Sequence, residues 1–272
     1  DRLVCVFDDN GITIDGSTSL TCSDDVAKRF ASYGWNVIQG GEIGEDLDAL
    51  EAMLSSARNH AGQPTLCILK THIGYPSPDF TDVHEAHGNP FNAEHVAKTK
   101  AIMGIPDDAF WAPSDVVAQV RAHAASRGSE LLSAYDTAVA HAEGKHGFNQ
   151  CWSEPNGDAV AALMPEFAAD STLATRQAIQ QCIEASASAL PGLLIGSADL
   201  TGNTGVKVKS VGAQSKQLPT GQQVYFGIRE HAMGAAMVGM ALHGGVIPVG
   251  GTFFVFADYM RPAIRLAALS KA

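Results

Sequence analysis

Basic residues are scarce: 18 Lys and Arg stand against 29 Asp and Glu, a formal net charge of −11. A nucleic-acid backbone is repelled by that balance and no basic run offsets it, so no nucleic-acid partner is expected. Cysteine is sparse as well. Cys5, Cys22, Cys67, Cys151 and Cys182 are far apart, odd in number and form no C-x-x-C pair. They read as reduced core thiols of an intracellular protein, and no zinc site can be built from them. The opening Asp-Arg-Leu-Val-Cys-Val-Phe lacks an initiator Met, and its apolar part is too short for a signal-peptide core. It reads as the interior of a longer chain. From Ala232 to Ala257 formal charge is missing altogether, a length that would suffice for a bilayer span. Gly244, Gly245, Pro248, Gly250 and Gly251 break it into helix, turn, short strand and turn instead. No membrane partner is expected, and neither a short-period repeat nor a low-complexity tract is present.

What remains is a globular composition, 46% hydrophobic and 17% charged over 272 residues, long enough for a substantial core. Residues 3–7 form an apolar run that ends in Asp8-Asp9-Asn10-Gly11, a strand and a turn. Ser23-Asp24-Asp25 opens a helix to about Tyr33, with Ser23 as its N-cap. Trp35–Ile38 reads as a strand and Thr65–Leu69 as another. Between them, Glu45–His60 reads as a helix with Leu47, Leu50 and Leu54 on its apolar side. This alternation predicts an α/β fold, with parallel sheets flanked by helices. A long loop rich in Gly, Pro, Asp and His follows Lys70, of the kind that is usually functional or disordered. Helices are expected over 93–103 and 114–143, and little periodicity over 144–172. A second alternation starts near residue 170: helix to Leu190, strand at Leu193–Gly196, polar loop over 201–222. The resulting division is 1–150, a linker over 151–171, and 172–272.

Four stretches carry chemistry, and each reads two ways. Asn10 and Ile12 follow a strand, where open parallel sheets bind ligands, and offer a side-chain and a backbone carbonyl to a hard cation such as Mg²⁺. The same residues suit a plain Asx turn. Phe253, Phe256 and Tyr259 recur every three residues after Gly250-Gly251, as a platform for a flat aromatic ligand or as ordinary core. Glu230 opens a helix as a surface charge facing the dipole, or as a carboxyl desolvated by the small residues Ala232, Gly234, Ala235, Ala236 and Gly239. His84 and His87 lie in the long loop, as proton-transfer or phosphate groups or as solvent-exposed side chains.

Taken in order, these stretches resemble transketolase. The resemblance rests on Asp-Asp-Asn-Gly-Ile-Thr-Ile-Asp-Gly, Ile-Gly-Tyr-Pro, His-Gly-Asn-Pro, Ala-Thr-Arg at 174–176 and Gly-Ser-Ala-Asp-Leu at 196–200. Phe-Gly-Ile-Arg-Glu-His-Ala-Met-Gly and Gly-Gly-Thr-Phe-Phe-Val-Phe-Ala-Asp-Tyr complete it. It implies a thiamine-diphosphate-binding fold in parts of two domains, the diphosphate domain and then the pyrimidine domain. It also implies transfer of a two-carbon ketol unit from a ketose phosphate to an aldose phosphate, in the pentose phosphate pathway or Calvin cycle. By position, Asn10 and the Ile12 carbonyl would hold the divalent ion, magnesium or else calcium or manganese. Ile73 would contact the thiazolium, with Asp199 its neighbour across a subunit interface. Phe253, Phe256 and Tyr259 would enclose the aminopyrimidine, and Glu230 would bond its N1′ and favour the imino tautomer that takes the C2 proton. His87 would lie near diphosphate and substrate, and Arg176 at the sugar phosphate. Asn203 stands where the family usually has Ser. The resemblance further implies a homodimer in the cytoplasm, or in a plastid if the source is a photosynthetic eukaryote. A Gly-Asp-Gly motif and a third domain are expected outside these residues. The alternatives are a formaldehyde-using dihydroxyacetone synthase and a non-catalytic assembly subunit.

Overall fold

The computed structural model describes residues 2–143, 145, 147–153 and 155–272. Contact density divides the chain into two compact units, Asp1–Arg121 and Ala122–Ala272.

In the first unit, β1 (Val4–Asp9), β4 (Asn36–Gly41) and β5 (Thr65–Lys70) form a parallel sheet in the order β1-β5-β4. The continuous apolar run Leu66-Cys67-Ile68-Leu69 takes the middle of the sheet, where a strand is covered on both faces. Between β1 and β4 lie a short hairpin, β2 (Ile12–Thr13) with β3 (Gly16–Ser17), and α1 (Val26–Ser32). The cap of α1 is Asp25, not Ser23: its carboxylate accepts from Lys28 N at 2.9 Å. An N-cap must stand immediately before the first helical turn to reach that amide, and Ser23 is too far upstream.

Helix α2 (Leu47–Asn59) buries Met53 and Ala57 against Cys67 and Leu69, with Leu50, Ile38 and Ile43 beside them. The expected stripe is therefore displaced, since Leu47 is 75% exposed and Leu54 is exposed too. Gly40 explains where the contact falls. A Cβ there would lie 2.8 Å from Met53 Sδ, so the helix seats Met53 over a strand residue that has no side chain. After β5 come the long loop, with a single 3₁₀ turn at His84–Ala86, and α3 (Ala93–Met103). Helix α4 (Ser114–Ala142) runs through the division at 121/122.

The second unit contains two short helices that periodicity did not reveal, α5 (Phe148–Trp152) and α6 (Gly157–Ala161). Single turns capped locally carry no amphipathic period to detect. Gly144, His146 and Glu154, in the stretch expected to be aperiodic, lie outside the described residues. Next come α7 (Thr175–Ser186), β6 (Leu193–Ser197), β7 (Gln223–Tyr225), α8 (Glu230–His243) and β8 (Ile247–Gly251). The strands make a second parallel sheet, β7-β6-β8, again with the most apolar strand central. Its core is Ile183 of α7 with Leu193, Ile195, Val206 and Val208. A 3₁₀ segment (Phe254–Met260) leads directly into α9 (Arg261–Ser270).

Two expectations need correction. Of the five cysteines only Cys67 is buried, and Cys22 is exposed. The small residues after Glu230 do not all pack: Glu230, Met233 and Gly234 are buried, while Ala232, Ala235, Ala236 and Gly239 are exposed. The packed face of α8 is a narrow i, i+3, i+4 stripe against α9, where a Cβ on Gly234 would lie 2.9 Å from Ala263 Cβ. Among the described residues no helix is long and apolar enough to cross a membrane.

Candidate functional site

The second unit brings four of the sequence-predicted residues around one cavity of about 800 Å³: Asp199, Glu230, Phe256 and Tyr259. The cavity opens where β6 and β8 end. At that edge Ser197 Oγ donates to the Gly251 carbonyl at 2.6 Å and accepts from Leu200 N at 3.1 Å, tying the turn after β6 to β8. Within that turn Asp199 has φ of 64°, a left-handed conformation that Asp tolerates better than most residues.

Glu230 is the first residue of α8 and only 9% exposed. The helix N-terminus presents free amide N–H groups and positive potential there, which favours a carboxylate. The adjacent arginine does not neutralise it. Arg229 folds back so that Nη1 donates to the Phe226 carbonyl at 3.0 Å. Gly227 permits that fold, because a Cβ at its φ of 68° would sit 2.5 Å from the same Nη1. Among the described residues no ion pair includes Glu230. The side chain is buried, although Ala232, Ala235, Ala236 and Gly239, expected to desolvate it, are themselves exposed.

The aromatic residues form a ladder rather than a core. Phe253 and Phe256 stack with ring centroids 5.9 Å apart, and Phe256 and Tyr259 follow at 6.1 Å. A 3₁₀ helix has three residues per turn, so Phe256 and Tyr259 share one face. Tyr259 is 66% exposed and Phe253 is exposed too, so their rings are available to a ligand. Phe253 does not line the cavity, whereas Arg229 and His231 do. Neither had been assigned a role from the sequence; the only signal was that both flank Glu230.

Arg176, on the first turn of α7, and Asn203 are exposed and lie outside the cavity lining. Their segments nonetheless meet: a Cβ on Gly205, at φ 75°, would fall 2.0 Å from the Arg176 carbonyl oxygen. Asn203 N donates to the Leu200 carbonyl at 2.9 Å, so its turn stays close to the end of β6.

In the first unit, Asn10 and Ile12 form a true Asx turn, with Ile12 N donating to Asn10 Oδ1 at 2.9 Å. Both residues are half-buried. The turn preorganises the amide oxygen, which keeps a second lone pair for another partner. Beside it Lys70 Nζ meets Asp9 Oδ2 at 2.6 Å and Thr71 bonds Asp8. No group of three or more His, Cys, Asp or Glu able to hold a metal occurs among the described residues, so a cation here would rely on amide and backbone oxygens. Ile73 is half-buried in the loop after β5; His84 and His87 are exposed.

Comparison with known proteins gives a consistent result. The family profile described as "Transketolase, thiamine diphosphate binding domain" matches residues 1–152, and "Transketolase, pyrimidine binding domain" matches 171–272. The chromosomal transketolase of Cupriavidus necator is 40% identical over 278 residues, covering 99% of this chain and 41% of that protein. Transketolase from Leishmania mexicana superimposes with a TM-score of 0.86 at 34% identity, covering 98% of this chain and 41% of the other. A Pichia stipitis transketolase in complex with sedoheptulose-7-phosphate gives 0.85 at 31%, with 98% and 41% covered. The chain thus spans about two-fifths of the length of these relatives.

Proposed function

This chain belongs to the transketolase family, and from that premise we propose that its parent protein transfers a two-carbon ketol unit from a ketose phosphate to an aldose phosphate with thiamine diphosphate. The observation that carries this reading is the buried Glu230 carboxylate at the start of α8, on a cavity walled by Phe256 and Tyr259. A carboxyl group without an ionic partner, beside two ring faces, suits a flat nitrogen heterocycle that presents a ring nitrogen. When bound, thiamine diphosphate would supply a thiazolium carbon acid whose carbon, once its proton is removed, can add to a ketose carbonyl.

The chain's own groups do the rest. Glu230 holds a proton at the ring nitrogen, and α8 orients it. Phe256 and Tyr259 would wall one side of the ring and exclude water, with Phe253 stacked on Phe256 to support them and Asp199 bordering the same space. Asn10 Oδ1 and the Ile12 carbonyl supply two oxygens to a divalent ion on the diphosphate, Mg²⁺ or else Ca²⁺ or Mn²⁺; further ligands complete a six-oxygen shell. Ile73 contacts the thiazolium, and His87 serves diphosphate and substrate. Arg176 offers a bidentate fork to the sugar phosphate, and Asn203 adds an amide donor. The same reading takes 1–150 as diphosphate domain, 151–171 as linker and 172–272 as pyrimidine domain, in a homodimer located in cytoplasm or plastid.

The test is Glu230→Gln in the parent protein. The substitution keeps shape and hydrogen bonding but removes the acid–base function, so thiamine diphosphate should still titrate in. Hydrogen–deuterium exchange at C2 of the bound cofactor should slow by about 10²–10⁴-fold, as for loss of a general acid–base group. Exchange at the wild-type rate in a saturated variant would reduce Glu230 to a structural helix-start charge.

A further inference from the structure

The chain leaves β5 at Lys70 and closes a loop on itself twice at one place. Asp82 N donates to the Ile73 carbonyl at 2.9 Å. The Asp82 carboxylate also meets His72 Nδ1, at 2.8 Å through Oδ2 and 3.1 Å through Oδ1. Asp82 takes φ of 59° to make both contacts. The loop between is packed on its own backbone. Ser77 N donates to the Gly74 carbonyl at 2.8 Å and Thr81 Oγ1 to the Ser77 carbonyl at 2.6 Å. A Cβ on Gly74 would lie 2.4 Å from the Phe80 carbonyl oxygen. Ile73 therefore sits at the neck: its own carbonyl is bonded to Asp82 N, and the side chain of the preceding residue, His72, is bonded to the Asp82 carboxylate.

We propose that His72 and Asp82 are positioning residues: an imidazolium–carboxylate latch that fixes the neck of the 72–82 loop and thereby the direction in which Ile73 points. The inference rests on the reading of Ile73 as the apolar contact to the cofactor's thiazolium, and it adds a pH dependence to that contact. The charged groups that act most strongly on His72 are acidic: Asp82 across the neck, then Glu42 and Glu45 from the connection between β4 and α2. The hydrogen bond and charge of Asp82 dominate and raise the His72 pKa above its ordinary value; desolvation opposes them and is smaller. A raised histidine stabilises the latched form fully below about pH 6.5, the ordinary histidine value, and the contribution is lost as pH rises through the raised value.

The experiment uses the parent protein with His72→Gln, Asp82→Asn and the double variant, all at exposed positions. Histidine ring carbons are labelled, and the His72 signal is identified by its loss in His72→Gln. Its titration midpoint should lie above the ordinary value and fall toward it in Asp82→Asn. Amide exchange over residues 73–83 should rise about 1.5- to 5-fold in either single variant, the range for an exposed ion pair, and no further in the double. The KM for thiamine diphosphate should rise by the same factor with kcat little changed, and the wild-type KM should rise by that factor above the His72 midpoint. An ordinary His72 midpoint, or unchanged exchange in the variants, overturns the latch. A latch visible in both readouts with an unmoved KM overturns the positioning role. A parent that binds no thiamine diphosphate overturns the proposed function instead, while titration and exchange still decide the latch.

Discussion

The two units build three-stranded parallel sheets of different connectivity, and present their candidate residues differently. Each has three parallel strands with the most apolar one central, β5 in the first and β6 in the second. Each also places an aspartate in the left-handed conformation soon after that strand, Asp82 and Asp199. In the second unit Glu230 comes from the start of α8 and Phe256 and Tyr259 from the 3₁₀ segment, and with Asp199 of the turn after β6 they face a common cavity. In the first they come from loops, with Ile73 half-buried and His87 exposed. Regular elements fix side-chain direction through their own backbone bonds, whereas a loop needs separate fastenings to do so. The Asx turn of Asn10 and the His72–Asp82 pair are those fastenings.

Three changes probe the contrast, the largest first. Ile195 is 0% exposed at the centre of β6, so Ile195→Ala in the parent should cost about 2–5 kcal/mol by loss of burial and a residual cavity. Amide exchange should accelerate in residues 193–197 and 247–251 and stay unchanged in 65–70. A uniform loss across both sheets would mean that they unfold as one cooperative body.

Next, Gly205 and Gly11 both have positive φ, but only the former is crowded: nothing lies within 4 Å of a Cβ on Gly11. Gly11→Ala should cost about 1–2 kcal/mol from conformation alone. Gly205→Ala should exceed it by about 1–3 kcal/mol, because the Arg176 carbonyl must move. Denaturant midpoints compare them, and equal losses would show that the first unit's turn is as tightly determined as the second's.

The smallest effect concerns acid. Glu184 on α7 accepts from Lys209 N at 2.8 Å and Ser210 N at 3.0 Å, holding the loop that follows β6. Burial pushes its carboxyl pKa up, but the combined hydrogen bonds from Lys209 and Ser210 outweigh this and leave it lowered. A lowered carboxyl contributes stability above the ordinary carboxylate value of about 4.3, and the contribution is lost as pH falls through the lowered value. Because the group is only half-buried and open to solvent screening, Glu184→Gln should cost no more than about 1 kcal/mol at neutral pH. Its stability curve should meet the wild type in acid. The His72–Asp82 pair has the opposite sign and weakens as pH rises. Parallel curves for wild type and Glu184→Gln at all pH values would show that the carboxylate does not hold this loop.

Much of this was legible in the sequence where side-chain pattern and local chemistry agree. The apolar run of β5 and the helix, turn and short strand of the glycine-broken segment after Ala232 became the elements they predicted, and the residues of the three-residue aromatic spacing lie in a 3₁₀ segment and at its cap. The failures share a cause. Leu47 and Leu54 satisfy helical periodicity, but Gly40 on the preceding strand, through a contact that helical period does not encode, decides which face of α2 fits. The small residues of α8 look uniformly packable, yet Gly234 is buried while Ala232, Ala235, Ala236 and Gly239 are exposed. The latch of His72 on Asp82 joins an ordinary histidine to an ordinary aspartate, and neither carries a motif. Which residues touch across a fold is decided by tertiary contact, and local pattern encodes that only in part.

Pro262 shows how a residue outside the site sets its shape. It stands in the first turn of α9, directly after the 3₁₀ segment that carries the aromatic ladder. A proline is tolerated in that first turn, but an α-helix extended upstream through it would drive the pyrrolidine ring into the Asp258 carbonyl. The tighter coil before it is thereby prevented from relaxing into its successor. Were it to do so, each step from one ring to the next would add about 300° of rotation instead of a full turn, and Tyr259 would swing about a third of a turn away from Phe253. The flatness of the aromatic wall is thus set by the absence of one N–H and the bulk of one ring.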